Sequence, residues 1–257
     1  MNNDDKIIKL KTGVKGLDYM LYGGIPLKNQ VIVGGGPGAG KTLLSLEIAY
    51  NMAKLGVPSS FISFEEEPES IIANAKEVFT KFKDIDKLLE EKKLLIEGKG
   101  IAIKIIEKSD SPSYSFSTII SDIDDIVAMN GSKFVVIDSI SLLRLLIPDP
   151  VNYRIALLSL TSKLKSMGVT SILTAELPTS ERKDVTFDPE FFTFDGIILL
   201  YEEGEADKRN LTLEIVKMRG SNHSWFLAPY EITSEGFSIL TPTSTNETML
   251  DSNDDDL

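Results

Sequence analysis

Gly35-Gly36-Pro37-Gly38-Ala39-Gly40-Lys41-Thr42 is the stretch that decides the fold, because it fits G-x-x-x-x-G-K-[ST] and both flanks suit it. Before it runs Gln30-Val31-Ile32-Val33, a short β-branched strand. After it, Leu43-Leu44-Ser45-Leu46-Glu47-Ile48-Ala49-Tyr50-Asn51-Met52-Ala53 repeats apolar residues at three- and four-residue spacing, as a helix does. Strand, glycine loop and helix together turn backbone N–H groups inward around an anion at a helix N-terminus. The reading is a phosphate cradle made by Gly36, Pro37, Gly38, Ala39, Gly40, Lys41, Thr42 and Leu43. Lys41 reaches the β- and γ-phosphates of a nucleoside triphosphate, and the Thr42 hydroxyl holds Mg²⁺.

The 257 residues are within reach of one α/β unit, and 42% hydrophobic with 26% charged residues is ordinary for a globular chain. No apolar run approaches a membrane span, and Met1-Asn2-Asn3-Asp4-Asp5-Lys6 is not a signal peptide, so a cytoplasmic protein with no membrane insertion is expected. The absence of cysteine excludes disulfides, thiolate metal sites and cysteine nucleophiles. A net charge of −12 weighs against a general nucleic-acid binder, which carries a basic face. Part of that charge is local: five acids and no Lys or Arg lie between Thr241 and Leu257. The expected division is a domain over residues 1–241 and an acidic, disordered tail over 242–257.

The pattern along the chain alternates strand and helix, which implies a largely parallel sheet flanked by helices. Strands are expected at Ser59–Glu65, Leu94–Ile96, Ala102–Ile106, Lys133–Asp138, Val169–Ala175 and Gly196–Leu200. Helices are expected at about Glu67–Phe82, Phe116–Met129 and Tyr153–Met167. Asn210–Leu240 reads as antiparallel strands joined by tight turns. Ser109–Ser115 and Leu177–Pro189 are rich in turn formers and charge and carry no assignment.

Hydrolysis of a bound triphosphate needs a metal partner, a carboxylate near the attacking water and positive charge at the γ-phosphate. Asp138 closes the apolar run Phe134-Val135-Val136-Ile137, the Walker B arrangement in which the acid sits beside Thr42 and supports Mg²⁺. Glu65 and Glu66 follow Phe61-Ile62-Ser63-Phe64, a strand expected to lie beside the phosphate-loop strand with its end in the same crevice. Either acid could orient or deprotonate water there, and the pattern does not choose between them. Taken alone, such an acidic run is also how a solvated helix opens. Lys217-Met218-Arg219-Gly220-Ser221-Asn222-His223 contains the only histidine; by itself it reads as a solvated strand face.

The chain resembles a single-domain KaiC-like ATPase of the RecA superfamily, a type abundant in archaea. The likeness rests on Thr12-Gly13-Val14-Lys15-Gly16-Leu17-Asp18 with Gly23-Gly24-Ile25-Pro26, the phosphate loop, Phe64-Glu65-Glu66 and Val136-Ile137-Asp138-Ser139. It continues through Lys217–His223 and Tyr230-Glu231-Ile232-Thr233-Ser234-Glu235-Gly236-Phe237. It implies a RecA-like P-loop NTPase with a mostly parallel central sheet and a C-terminal antiparallel extension. It further implies a homo-oligomeric ring, usually a hexamer, with ATP and Mg²⁺ at each subunit interface. Lys217 and Arg219, with His223, would then reach the neighbour's ATP. Glu65 and Glu66 would activate water, and Thr174-Ala175-Glu176 would occupy the γ-phosphate sensor position. The circadian clock protein of this family has two tandem ATPase domains where this chain has one, so no clock or autokinase cycle is expected. The expected activity is slow ATP hydrolysis with a regulatory output to a protein partner. The alternatives are an ATP-gated scaffold with negligible turnover and a recombinase paralogue that contacts DNA through Arg182 and Lys183.

Overall fold

The computed structural model describes residues 7–98, 112–185, 189–204 and 209–242. Among them, nine strands form one sheet around the phosphate-loop strand β3 (Gln30–Gly35), with a two-stranded ribbon of β1 (Lys9–Leu10) and β2 (Ile25–Pro26) beside it. The remaining strands are β4 (Ser59–Ser63), β5 (Leu94–Glu97), β6 (Phe134–Asp138), β7 (Thr170–Glu176), β8 (Gly196–Glu203), β9 (Asn210–Met218), β10 (Ala228–Thr233) and β11 (Gly236–Ile239). Their order is β11-β10-β9-β8-β3-β7-β6-β4-β5. The six strands from β8 to β5 in that order run parallel, and β9, β10 and β11 continue the sheet antiparallel. This is the RecA-like α/β arrangement.

The buried strands show why the sheet needs cover on both faces. Val31, Val33, Phe61 and Val136 belong to one core, while Ile32, Ile62, Val135 and Ile137 belong to the other, the two-residue alternation of an extended chain. The first core is closed by α1 (Leu17–Met20), α2 (Lys41–Lys54), α3 (Pro68–Val78) and α4 (Ile85–Glu90), through Leu17, Leu44, Ile48, Ile71 and Leu88. The second is closed by α5 (Pro112–Asn130), α6 (Ser141–Leu146) and α7 (Pro150–Ser166), through Ile119, Leu143, Leu157 and Leu160. Each such aliphatic side chain contributes about 1.5–3 kcal/mol on burial. No helix among the described residues is long and apolar enough to cross a membrane.

One expected adjacency is wrong. The Glu65 strand, β4, pairs with β5 and β6, and two strands separate it from β3, whose neighbours are β7 and β8. The crossover through α2 skips two positions that later strands fill, and the order reverses at β3, the kind of switch point where α/β sheets bind ligands. Boundaries differ as well. The helix expected to reach Phe82 ends at Val78 and continues as a 3₁₀ turn over Thr80–Asp84. In the unassigned Leu177–Pro189 stretch, Arg182–Asp184 is a 3₁₀ turn, and another begins at Pro189. The strand expected at Ala102–Ile106 and the acidic tail from residue 243 lie outside the described residues.

Candidate active site

The phosphate loop leaves β3 and enters α2 through Gly40, whose φ of +87° is the left-handed conformation that glycine adopts without strain. Pro37, Gly38, Gly40, Lys41, Thr42 and Leu43 wall one side of a cleft of about 320 Å³, and Glu65, Asp138, Ser139 and Glu176 wall the other. Lys41 Nζ donates to the carbonyls of Gly35 and Gly36 at 3.0 and 2.9 Å. Burial lowers its pKa, while Glu176, Asp138 and Glu65 hold it up.

Asp138 is 4% exposed at the tip of β6, which only β7 separates from β3. Thr42 Oγ1 donates to its Oδ2 at 3.0 Å and Thr174 Oγ1 to its Oδ1 at 2.5 Å. Burial pushes the Asp138 carboxyl above its ordinary value, the two threonine bonds pull it back, and Glu65 raises it further. Thr42 and Asp138 are thus within bonding distance although 96 residues apart.

Glu65 arrives in the cleft by local backbone ties. Phe64 N donates to Asp138 O at 2.7 Å, which anchors the end of β4 to the end of β6. The Ser63 hydroxyl then accepts from the N–H groups of Glu65 and Glu66, at 3.2 and 3.0 Å, and turns the chain. The Ser139 hydroxyl donates to Glu65 Oε1 at 2.5 Å. Glu66 turns away instead: its Oε2 accepts from Ser70 and Asn74 on α3, at 3.3 and 3.4 Å. Only Glu65 of the pair lines the cleft.

Lys217, Arg219 and His223 lie elsewhere. Lys217 pairs with Ile197 and Met218 with Gly196, which is level with Val31 at the start of β3. At ~3.3 Å per residue that is roughly 15 Å down the sheet from the loop, beyond the reach of either side chain. Lys217 Nζ donates to Phe194 O at 2.5 Å and Phe192 O at 3.3 Å. Arg219 donates through its backbone to Asp195 O at 2.8 Å, and its guanidinium is 3.5 Å from Asp195 Oδ1. His223 is buried, donates from Nδ1 to Ser224 O at 2.9 Å and packs on the exposed Trp225.

The donors suit a nucleoside triphosphate with a hard divalent ion: loop backbone, one lysine, one hydroxyl and one carboxylate. No group of three or more His, Cys, Asp or Glu among the described residues could hold a metal, so an ion here would take its remaining oxygens from phosphate and water. Sequence reasoning gives Ser139 no role, and it names Thr174 only within the Thr174-Ala175-Glu176 triplet implied as the γ-phosphate sensor. Thr174 donates to the Walker B acid Asp138 and Ser139 to Glu65, a supporting role with no spacing signature of its own. The basic pair Arg182 and Lys183 is neutralised internally. Arg182 forks onto both Glu214 oxygens at 3.0 Å, and Lys183 meets Glu181 at 2.7 Å.

The KaiC ATPase family model matches residues 10–244. The chain is 30% identical to the circadian clock oscillator protein KaiC of Synechococcus elongatus over 91% of its own length and 44% of that protein. Against the protein of the same name from Acaryochloris marina the identity is 29%, over 93% and 45%. It therefore spans under half the length of these relatives. A UPF0273 protein of Aeropyrum pernix is 31% identical over 90% of this chain and 93% of the relative. With the phosphate loop, the parallel sheet and this match in agreement, the chain belongs to the KaiC family of ATPases.

Proposed function

We propose that this protein binds ATP with Mg²⁺ and hydrolyses it slowly to ADP and phosphate, at sites shared between copies in a ring. The observation that carries the reading is the convergence of Lys41, Thr42, Asp138 and Glu65 on one cleft at the N-terminus of α2. Lys41 and the loop amides bind phosphate oxygens, and Thr42 with Asp138 supports the metal. Bound Mg²⁺ would offset phosphate charge during transfer. Glu65 orients water for in-line attack, held in place by Ser139. Lys217 and Arg219 point away from their own cleft, which suits cations supplied to the next copy's site. The resulting conformational state is read by a partner protein in the cytoplasm, with residues 1–241 as the ATPase domain.

The DNA reading weakens because two 3.0 Å bonds hold Arg182 on Glu214 and one of 2.7 Å holds Lys183 on Glu181, whereas Arg219 lies a looser 3.5 Å from its acid. Steady-state phosphate release from Mg-ATP, wild type beside Glu65→Gln, tests the leading reading. Turnover reduced at least ~100-fold in the variant with ATP still bound supports it. Wild-type turnover no higher than the variant's would leave an ATP-gated scaffold.

A further inference from the structure

The back of the phosphate loop rests on the C-terminal hairpin of β10 and β11, and one hydroxyl there touches the loop backbone. Tyr230 on β10 is 3% exposed, and its hydroxyl donates to Ala39 O at 2.7 Å. Its ring stacks on Phe237 of β11, with centroids 5.6 Å apart and planes 23° apart. Phe237 fills the space behind Gly40, where an added Cβ would lie 2.7 Å from its Cζ. The hairpin is fixed in turn to α2, because Phe237 N donates to Glu47 Oε2 at 2.8 Å.

These contacts set the direction of one peptide plane. In a trans peptide the C=O and the following N–H point in opposite directions. The Ala39–Gly40 bond is trans, so holding the Ala39 carbonyl toward the buried hairpin turns the Gly40 N–H to the other side. Gly40 also walls the cleft, together with Pro37, Gly38, Lys41 and Thr42. Glycine flanks this plane and does little to keep it from rotating, so the tyrosine bond acts as the lock. We propose that Tyr230 is a positioning residue for phosphate binding, and that its hydroxyl locks the Ala39–Gly40 peptide with its N–H aimed at the phosphate. Burial pushes the phenol pKa upward, so the group remains a donor across the physiological range.

The inference rests on the phosphate-loop reading above, and the test separates the two. Calorimetric titration of Mg-ADP and of inorganic pyrophosphate into wild type, Tyr230→Phe and Phe237→Leu gives affinities, and melting without ligand gives stability. Tyr230→Phe should weaken both ligands by about 5–10-fold, the scale of one lost hydrogen bond. Pyrophosphate must be affected as much as ADP, since it has no base or ribose. Phe237→Leu keeps the hydroxyl but loosens its seat, and should weaken both ligands by about 3-fold in the same direction. Wild-type pyrophosphate affinity in a folded Tyr230→Phe protein, whatever its melting temperature, would overturn the proposal by reducing Tyr230 to packing. Should that variant not fold, wild-type affinity in Phe237→Leu would overturn it. Failure of the wild type to bind either ligand would instead defeat the phosphate-loop reading, and this proposal with it.

Discussion

Asp138 carries an electrostatic cost in the folded chain. It is a nearly buried carboxylate whose pKa burial raises, with two threonine hydroxyls as partial compensation. The folded chain therefore holds this proton more tightly than the unfolded chain. Stability linked to it is greatest below the unfolded value and is lost as pH rises through the folded value. Asp138→Asn removes the charge while each threonine can still donate or accept, so ligand-free protein should melt about 2–5 °C higher at neutral pH. The gain should shrink to nothing below about pH 4. Scanning calorimetry across pH checks this, and a lower melting temperature at pH 7 would contradict it. The same variant should lose Mg²⁺-dependent turnover. Glu66→Gln should change phosphate release by less than about 3-fold, because Glu66 is bound to Ser70 and Asn74. A loss matching that of Glu65→Gln would contradict the geometry. Sequence could not separate these two acids. They are separated by the Ser139 hydroxyl on Glu65 and by the Ser70 and Asn74 bonds to Glu66, and the Phe64–Asp138 backbone bond that brings Glu65 to Ser139 joins strands whose neighbourhood no local pattern encodes.

Among elements, β3, β6 and the helices α5 and α7 were legible because long apolar runs and helical spacing mark them within a few residues. The short helices α4 and α6 were not, since six residues hold too few repeats to show a period. The order of strands was the main miss. Adjacency of β4 to β3 was inferred from chain order, whereas the sheet brings β7 and β8 to β3. The link between α2 and the C-terminal hairpin was equally hidden. Glu47 is fully buried there, paired with Lys81 and accepting from Phe237 N. Burial raises its pKa and the Lys81 hydrogen bond opposes the rise. Lys81→Met would leave that carboxylate without its cation and should cost about 3–5 kcal/mol in urea denaturation. Adding Glu47→Gln should restore most of the loss, because the amide oxygen still accepts from Phe237 N. A double variant no more stable than Lys81→Met would show that the pair matters for shape rather than charge.

At the scale of the whole molecule, the parallel strands set the two groups of candidate residues at opposite ends. Glu65, Asp138 and Glu176 gather at the strand tips around the phosphate loop, while Lys217 and Arg219 sit on Phe192, Phe194 and Asp195 near the strand starts. Candidate acids at one end and candidate cations at the other suit the head-to-tail contact proposed above, which closes into a ring when the rotation permits. The family resemblance made this legible as an expectation. The sheet register adds that Lys217 and Arg219 are out of reach of their own cleft. The most direct test of a shared site mixes two inactive proteins. Arg219→Ala keeps its own acid but presents no cation, and Glu65→Gln presents the cation but lacks the acid. Each alone should bind ATP and release little phosphate. Mixed in equal amounts and allowed to exchange subunits, they should regain up to about a quarter of wild-type turnover, the share of interfaces with both parts intact. A mixture no more active than the sum of its parts, beside wild-type specific activity that does not change with protein concentration, would contradict a site completed by a second copy.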